Sequence, residues 1–164
     1  GTFDEEKMVL AFVRNGSGFP SNVYAQFGAS SINDFVSIIV EEATFEGVDP
    51  YVVFAQAMVE TGWLKFGGQV HPSQCNFAGI GAVDGGAAGA SFNTYGMESV
   101  RMGIRAQVQH LKAYASREPL KGECVDPRFY LVNRGCAPTV GALSGKWASD
   151  LDYGYKISKV ILSI

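Results

Sequence analysis

Glycine residues are concentrated in the middle of this chain, and their position limits the folds that are open to it. Many of the 20 glycines lie between Gly62 and Gly96, in pairs such as Gly67-Gly68 and Gly85-Gly86. Glycine is disfavoured inside helices and strands and is typical of turns. The central segment therefore predicts a loop-rich lobe, with at most a short hairpin, between two groups of regular elements.

The segments on both sides of this lobe have helical periodicity. Apolar residues recur there at spacings of three and four, and capping residues such as Ser31 and the pair Asp49-Pro50 stand before two of the segments. We expect helices at about 3–13, 31–46, 49–60, 98–115 and 153–164, with shorter ones near 20–27 and 140–143. The chain is thus predicted to be mainly α, with a cleft where the helical groups meet the lobe.

Length and composition exclude several classes of protein. The chain has 164 residues, 47% hydrophobic and 18% charged, with a net charge of −3, which suits one domain, 1–164, with a sizeable core. The net charge does not favour nucleic-acid binding, and no apolar run is long enough for a transmembrane helix. The acidic start, with Gly1 in place of Met, favours the mature or excised part of a longer secreted protein.

The cysteines and histidines are few and widely spaced, which argues against a metal site. Cys124 and Cys136 are close enough in sequence either to form a disulfide or to remain free thiols, and Cys75 is left unpaired in both cases. We expect His71 in solvent and His110 on a helix surface. No metal or organic cofactor is expected.

Glu60 is the residue with the clearest chemical potential. It shares one helix face with Val52 and Gln56, and it lies in apolar sequence at the C-terminal end of the predicted helix. The helix dipole and partial burial by neighbours such as Trp63 would raise its pKa, as a general acid requires. The alternative is an ordinary glutamate facing solvent in the last helical turn.

Six motifs, taken together and in order, resemble one enzyme family. They are residues 53–63 (VFAQAMVETGW), 76–81 (NFAGIG), 103–111 (GIRAQVQHL), 125–129 (VDPRF), 147–150 (WASD) and 153–157 (YGYKI). This set is similar to the bacterial N-acetylglucosaminidases of glycoside hydrolase family 73, which are autolysin-like peptidoglycan hydrolases. The resemblance covers nearly the whole chain.

The resemblance implies a fold and several site residues. The fold would be lysozyme-like, with the lobe as one wall of a substrate cleft. The reaction would be hydrolysis of the β-1,4 bond between N-acetylglucosamine and N-acetylmuramic acid. Glu60 matches the family's general acid, and Tyr153 matches a tyrosine of the catalytic bed. Asn76 and Phe77 match the lobe segment that enters the sugar cleft. Gln56 would bind sugar, support Glu60 or have a purely structural role.

The chain departs from the family at the second carboxylate. Many members have another glutamate in the lobe, whereas residues 79–92 contain only Asp84. Asp84 could activate water in an inverting mechanism, or it could simply form an Asp-Gly turn. Alternatively, the substrate's own N-acetyl group attacks, and no second carboxylate is needed. Glu98 is a third option, although an acid at the start of a helix has a simpler electrostatic explanation.

Aromatic residues near the expected cleft are candidates for stacking on sugar faces, chiefly Trp63 and Tyr95. The resulting hypothesis is a monomeric, secreted or wall-associated hydrolase that acts on peptidoglycan and inserts into no membrane. A muramidase or lytic transglycosylase would have the same fold and one main glutamate. A non-catalytic wall-binding module is the alternative from another class.

Overall fold

The computed structural model describes residues 3–164, and over this range the fold is mainly helical. The helices are α1 (Glu5–Asn15), α2 (Ser21–Tyr24), α3 (Ile32–Glu46), α4 (Pro50–Thr61), α5 (Ser99–Ala115) and α6 (Tyr153–Leu162). Single 3₁₀ turns lie at Ala25–Phe27, Pro72–Gln74, Gly96–Glu98, Phe129–Leu131 and Gly141–Leu143. The described residues form isolated β-bridges but no strands. None of their helices has the length and hydropathy needed to cross a membrane.

Local capping explains why the helices begin where the sequence predicts. The side chain of Ser31 accepts a hydrogen bond from the amide of Asp34 before α3, and that of Asp49 accepts one from Tyr51 before α4. Gly47 and Gly62 end these two helices in the left-handed conformation that glycine adopts without strain. All predicted helices are present, and the weaker segments at 20–27 and 140–143 form only short helical turns.

A single apolar core joins the helices. α3 packs against α1, α4 and α5, while α4 also packs against α6. Fully buried side chains from five helices fill the space between them, namely Met8, Phe35, Ile39, Phe54, Met58, Ile104 and Ile157. The contact between α4 and α6 matters most for function because it brings the end of α4 beside the start of α6.

Residues 62–95, called the lobe below, consist of loops, the 3₁₀ turn Pro72–Gln74 and one isolated bridge. The Nδ2 atom of Asn76 donates to the carbonyls of Ile80 and Ala90, both at 3.0 Å, and its Oδ1 accepts from the amide of Ile80 at 3.1 Å. Phe77 anchors the lobe because its ring is fully buried against Phe35. The expected hairpin is reduced to one bridge at Ala82 and the exposed tip 83–88.

The chain leaves α4 through an unusual turn. Trp63, Leu64 and Phe66 all have positive φ, between 59° and 63°, which costs a side-chain-bearing residue about 1–2 kcal/mol. The turn is held because the amide of Trp63 donates to the carbonyl of Met58 at 2.9 Å and that of Phe66 donates to Thr61 at 2.7 Å. Burial of Leu64 offsets part of the strain. These bonds fix the backbone directly after Glu60.

The cysteines and histidines agree only partly with expectation. Cys75, Cys124 and Cys136 are all free thiols, and burial raises the pKa of Cys75 to about 12. His71 is exposed, as expected. The expected surface position of His110 is wrong, because its side chain is buried beneath residues 124–128, which cross α5 at this point.

Candidate active site

Glu60 occupies the penultimate position of α4 and is largely buried between the helical body and the lobe. Burial raises the pKa of its carboxyl to about 7, and the negative charge of Asp84 acts in the same direction. The hydroxyl of Tyr153 lies beside the carboxyl and lowers its pKa. The raised pKa expected from the sequence is therefore confirmed, with burial as its main cause. Glu60 can hold a proton close to neutral pH.

Tyr153 is the first residue of α6, and its side chain is buried at the contact between α6 and α4. Burial, together with the negative charge of Glu60, raises the pKa of its phenol well above the ordinary value. The phenol therefore stays protonated over the physiological range. It also accepts a hydrogen bond from the Nε2 atom of Gln56 at 2.9 Å.

A chain of buried amides fixes the orientation of this tyrosine. Gln107, on α5, donates from Nε2 to the Oε1 of Gln56 at 2.9 Å and to the carbonyl of Val53 at 3.0 Å. Because the oxygen of Gln56 is engaged by a donor, its Nε2 must face Tyr153. The hydroxyl of Tyr153 accepts this bond, which leaves its own proton free to point towards Glu60.

The hydrogen-bonded amides of Gln56 and Gln107 leave one buried oxygen unpaired within residues 3–164 and keep Gln56 away from the cavity. The Oε1 atom of Gln107 has no hydrogen-bond partner among the described residues, and a buried acceptor in this state is unfavourable. Gln56 has no exposed surface, so the expected contact of Gln56 with sugar is corrected to support of Tyr153 from below. The sequence indicates Gln107 only through the motif 103–111 that contains it, because its hydrogen-bond partners lie on another helix.

Gly79 brings the lobe into direct contact with the acid. A Cβ atom added at this position would lie 2.5 Å from the Oε2 of Glu60, closer than real Cβ contacts come. The backbone of Gly79 also has a φ of +66°. The backbone conformation therefore favours glycine at this point, and any larger residue would have to displace the end of the Glu60 side chain.

A cavity of about 190 Å³ opens in front of Glu60. Asp84 lines it from the exposed tip of the lobe, so the structure brings these two carboxylates into one space. The remaining lining residues are Thr61, Gly62, Phe66, Gly68, Gln69, Val70, Asn76, Gly79 and Ala82. Glu98 lies elsewhere, exposed and 3.7 Å from Arg101, in agreement with its simpler role at a helix start.

The structure places the other predicted sugar contacts differently. Phe77 has no exposed surface, which corrects the expectation that it reaches substrate. Asn76 borders the cavity, but its amide is engaged by the backbone of the lobe and is almost fully buried. Trp63 packs edge-on against Phe54 and is not among the cavity-lining residues. Tyr95 is exposed and also lies outside the cavity lining.

A second cavity, also of about 190 Å³, adjoins the first at Gly79 and Ala82. Its walls are residues 79–83 of the lobe on one side and His110, Arg128 and Trp147 on the other. The Nδ1 atom of His110 lies 2.6 Å from a carboxylate oxygen of Asp126. The sequence indicates this region only through the motifs that contain these residues.

A larger cavity, of about 550 Å³, lies away from Glu60, between the end of α3, α5 and residues 137–143. Its buried charges neutralise one another, because the Nζ of Lys112 lies 2.8 Å from Glu46 and the amides of Lys121 and Gly122 donate to the same carboxylate. These hydrogen bonds hold the pKa of Glu46 below its usual range, although burial alone would raise it.

Comparison with known proteins identifies relatives of the chain. The profile of the glucosaminidase family, described as mannosyl-glycoprotein endo-beta-N-acetylglucosaminidase, matches residues 36–164. An uncharacterized protein of Borreliella burgdorferi is 44% identical over 133 residues, which are 81% of this chain and 63% of that protein. The chain thus spans less than two thirds of that relative's length. No solved structure matches.

Proposed function

This chain belongs to the glucosaminidase family, glycoside hydrolase family 73, and from that premise we propose that it is a peptidoglycan hydrolase cleaving the β-1,4 bond between N-acetylglucosamine and N-acetylmuramic acid. Family membership implies a glycoside hydrolase that acts on cell-wall glycan. The observation that carries the finer proposal is Glu60, an acid with a pKa of about 7 that lies in a cavity beside Tyr153.

Glu60 acts as the general acid. Its proton passes to the glycosidic oxygen as the bond between this oxygen and the anomeric carbon of N-acetylglucosamine breaks. A pKa near the working pH favours this role because the carboxyl is both protonated and able to release its proton. The backbone of Gly79 limits the positions that the carboxyl can take.

The N-acetyl group of the substrate is the nucleophile in the mechanism that we favour. Its carbonyl oxygen forms a bond to the anomeric carbon as the leaving sugar departs. Water then opens the cyclic intermediate and returns a proton to Glu60, so atoms and charges balance. Tyr153 supports this step from behind Glu60: its buried hydroxyl lies beside the carboxyl and stabilises the charge left on Glu60 when the proton departs. Gln56 and Gln107 are positioning residues, because they act only through Tyr153.

Asp84 supports an alternative within the same function. It shares the cavity with Glu60, so it could activate a water molecule on the other face of the sugar, with inversion at the anomeric carbon. Its exposed position in an Asp-Gly turn favours the structural role instead. Measuring the anomer formed first separates the two, since substrate-assisted hydrolysis retains the configuration.

We place this activity outside the cytoplasm, in a monomer whose residues 1–164 act as one catalytic domain without a cofactor. The substrate supports this location, because peptidoglycan lies outside the cell membrane. The chain's single apolar core supports one domain.

Digestion of purified peptidoglycan tests the proposal, with the new reducing ends identified by borohydride reduction and mass spectrometry. Reducing-end N-acetylglucosamine supports it. Reducing-end muramic acid would indicate a muramidase, and an anhydro sugar would indicate a lytic transglycosylase. Binding without any new reducing end would indicate a wall-binding module. The Glu60→Gln variant, purified in parallel, controls for contaminating hydrolases.

A further inference from the structure

The second cavity has the character of a binding site for a negatively charged group. It lies between the lobe and the helical body, like the cavity in front of Glu60, and the two share Gly79 and Ala82. Because the two cavities have these two lining residues in common, a glycan strand longer than one sugar unit that occupies the catalytic cavity can be extended towards the second one. The polar wall beyond them is formed by His110, Arg128 and Trp147.

Arg128 supplies a positive charge that the fold does not neutralise. Arg101 and Arg105 bind Glu42, and Arg134 donates to backbone carbonyls. Within residues 3–164 the exposed guanidinium of Arg128 has no hydrogen-bond or ion-pair partner, as is also true of Arg117, but only Arg128 of these two lines the cavity. Its stem runs close to Gly81, where an added Cβ would meet Cδ at 3.5 Å. The side chain of Arg128 therefore lies along the wall of the cavity, with its guanidinium accessible to a ligand.

The wall behind Arg128 is rigid. The buried carboxylate of Asp126 accepts from the Nδ1 of His110 at 2.6 Å and from the backbone amide of Arg128 at 2.9 Å. The ring of Trp147 packs edge-on against His110 with centroids 4.6 Å apart, and its Nε1 donates to the carbonyl of Ala78 at 3.2 Å. These contacts tie the wall to the lobe and leave Nε2 as the remaining polar atom of the imidazole.

The alternation of sugars in the substrate indicates what this cavity would meet. If an N-acetylglucosamine unit lies over Glu60, as the proposed function requires, the units on both sides of it are N-acetylmuramic acid. Any subsite that adjoins the catalytic cavity therefore takes a muramic acid unit, whichever end of the strand enters it. Muramic acid differs from glucosamine by its lactyl carboxylate, or by the stem peptide attached there, which has carboxylates of its own.

We propose that the cavity lined by Arg128, His110 and Trp147 is a subsite for the acidic substituent of N-acetylmuramic acid. Arg128 binds the carboxylate through its N–H groups, which match the geometry of a carboxylate well. His110 and Trp147 position the guanidinium and close the cavity behind it. This inference rests on the proposed function and adds a specificity determinant to it.

Four soluble substrates test the proposal: glycan strands freed of peptide by an amidase, the same strands with their carboxylates methyl-esterified, and peptide-bearing strands with and without esterification. We expect the wild-type protein to prefer the unesterified member of at least one pair. In Arg128→Gln the preference for unesterified strands should fall on the order of tenfold, mainly through a higher KM. Loss of one charge-assisted hydrogen bond has an effect of about this size. Arg128→Lys restores part of it.

The matched control is Arg117→Gln, which removes an exposed arginine that lines neither cavity and should keep the wild-type preference. The pair that shows the preference identifies the carboxylate as lactyl or peptidic. Equal losses on esterified and free strands in Arg128→Gln, or no preference in the wild type, would overturn the subsite.

Binding separates failure of the subsite from failure of the proposed function. If the wild-type protein cleaves none of the substrates, the proposed function fails, and the subsite is tested by the affinity of Glu60→Gln for esterified and free strands. A clear preference in binding that Arg128→Gln removes supports a carboxylate site in a protein without the proposed activity. Equal affinities refute the site.

Discussion

Gly79 approaches Glu60 so closely that the lobe leaves no room for even a methyl group beside the carboxylate. The position of the acid is therefore set jointly by α4, which carries it, and by the lobe, which confines it. This relationship makes the steric fit at Gly79 a direct probe of catalysis.

Gly79→Ala should displace the Glu60 carboxyl and reduce kcat on the order of 10²-fold, because small misplacements of a reacting group have effects of this size. The control is Gly96→Ala, whose φ of +56° gives similar backbone strain but whose added Cβ meets no atom within 4 Å. Both variants should lose about 1 kcal/mol of stability. Equal activity in the two variants would refute the steric role of Gly79.

Glu60→Gln should abolish hydrolysis while the fold is retained, because the amide keeps the shape of the side chain but cannot donate the proton. Measurement of reducing ends released from peptidoglycan checks this. Substantial turnover by the purified variant would contradict the assignment of Glu60.

The same variant should be more stable than the wild type at alkaline pH. The folded-state pKa of Glu60, about 7, lies above the ordinary value of 4.5, so the folded state binds this proton more tightly than the unfolded chain does. Wild-type stability therefore falls as pH rises from about 4.5 to 7, on the order of 2 kcal/mol. Urea unfolding should show a gain for Glu60→Gln at pH 8 that is small at pH 4.5. A gain independent of pH would contradict the raised pKa.

Tyr153→Phe and Asp84→Asn should move the alkaline limb of the pH–activity profile in opposite directions. The hydroxyl of Tyr153 lowers the pKa of Glu60 and the charge of Asp84 raises it. The decline in activity near pH 7 should therefore shift to higher pH in Tyr153→Phe and to lower pH in Asp84→Asn. Tyr153→Phe should also lose ~10²–10³ in kcat, whereas Asp84→Asn should keep most activity. An inactive Asp84→Asn beside a nearly normal Tyr153→Phe would favour the inverting mechanism.

Gln107→Met should also shift the alkaline limb of the pH–activity profile to higher pH. Gln56 then loses the hydrogen bond that keeps its Nε2 towards Tyr153, so the Tyr153 hydroxyl is no longer directed at Glu60 and no longer lowers its pKa. The control is Gln109→Met, which removes a buried glutamine of the same helix whose bonds go to residues 123–126. Both variants should be destabilised by about 1–3 kcal/mol. Only the first should change the pH profile, and an identical profile in the two would reduce Gln107 to a purely structural role.

The helices could be predicted from the sequence because their signals are local. A cap such as Ser31 and a stop such as Gly47 act within a few residues of the helix end. The hairpin expected in the lobe was reduced to one bridge because side-chain amides, above all that of Asn76, take the backbone groups that a strand ladder would use.

The site was only partly predictable because burial depends on partners that are distant in sequence. Glu60 stands out by its position at a helix end, and the family motif adds Tyr153. The same information could not show that Phe77 faces the core rather than the cleft, or that residues 124–128 cover His110. Gln107 was not predicted as a site residue, because the sequence of one helix does not show which residues of a neighbouring helix it contacts.

The tip of the lobe, residues 83–88, is exposed and is closed by hydrogen bonds within the loop, whereas Glu60 is held by α4 and by Gly79. The amide of Val83 donates to Ala87 at 3.0 Å and that of Gly86 to Val83 at 2.8 Å. Because α4, the turn after it and Gly79 hold Glu60 independently of this tip, a change in the length of the loop is expected to leave the position of Glu60 unchanged. If the proposed function holds, engineering of activity towards other cell-wall glycans would begin with loop grafts at residues 83–88.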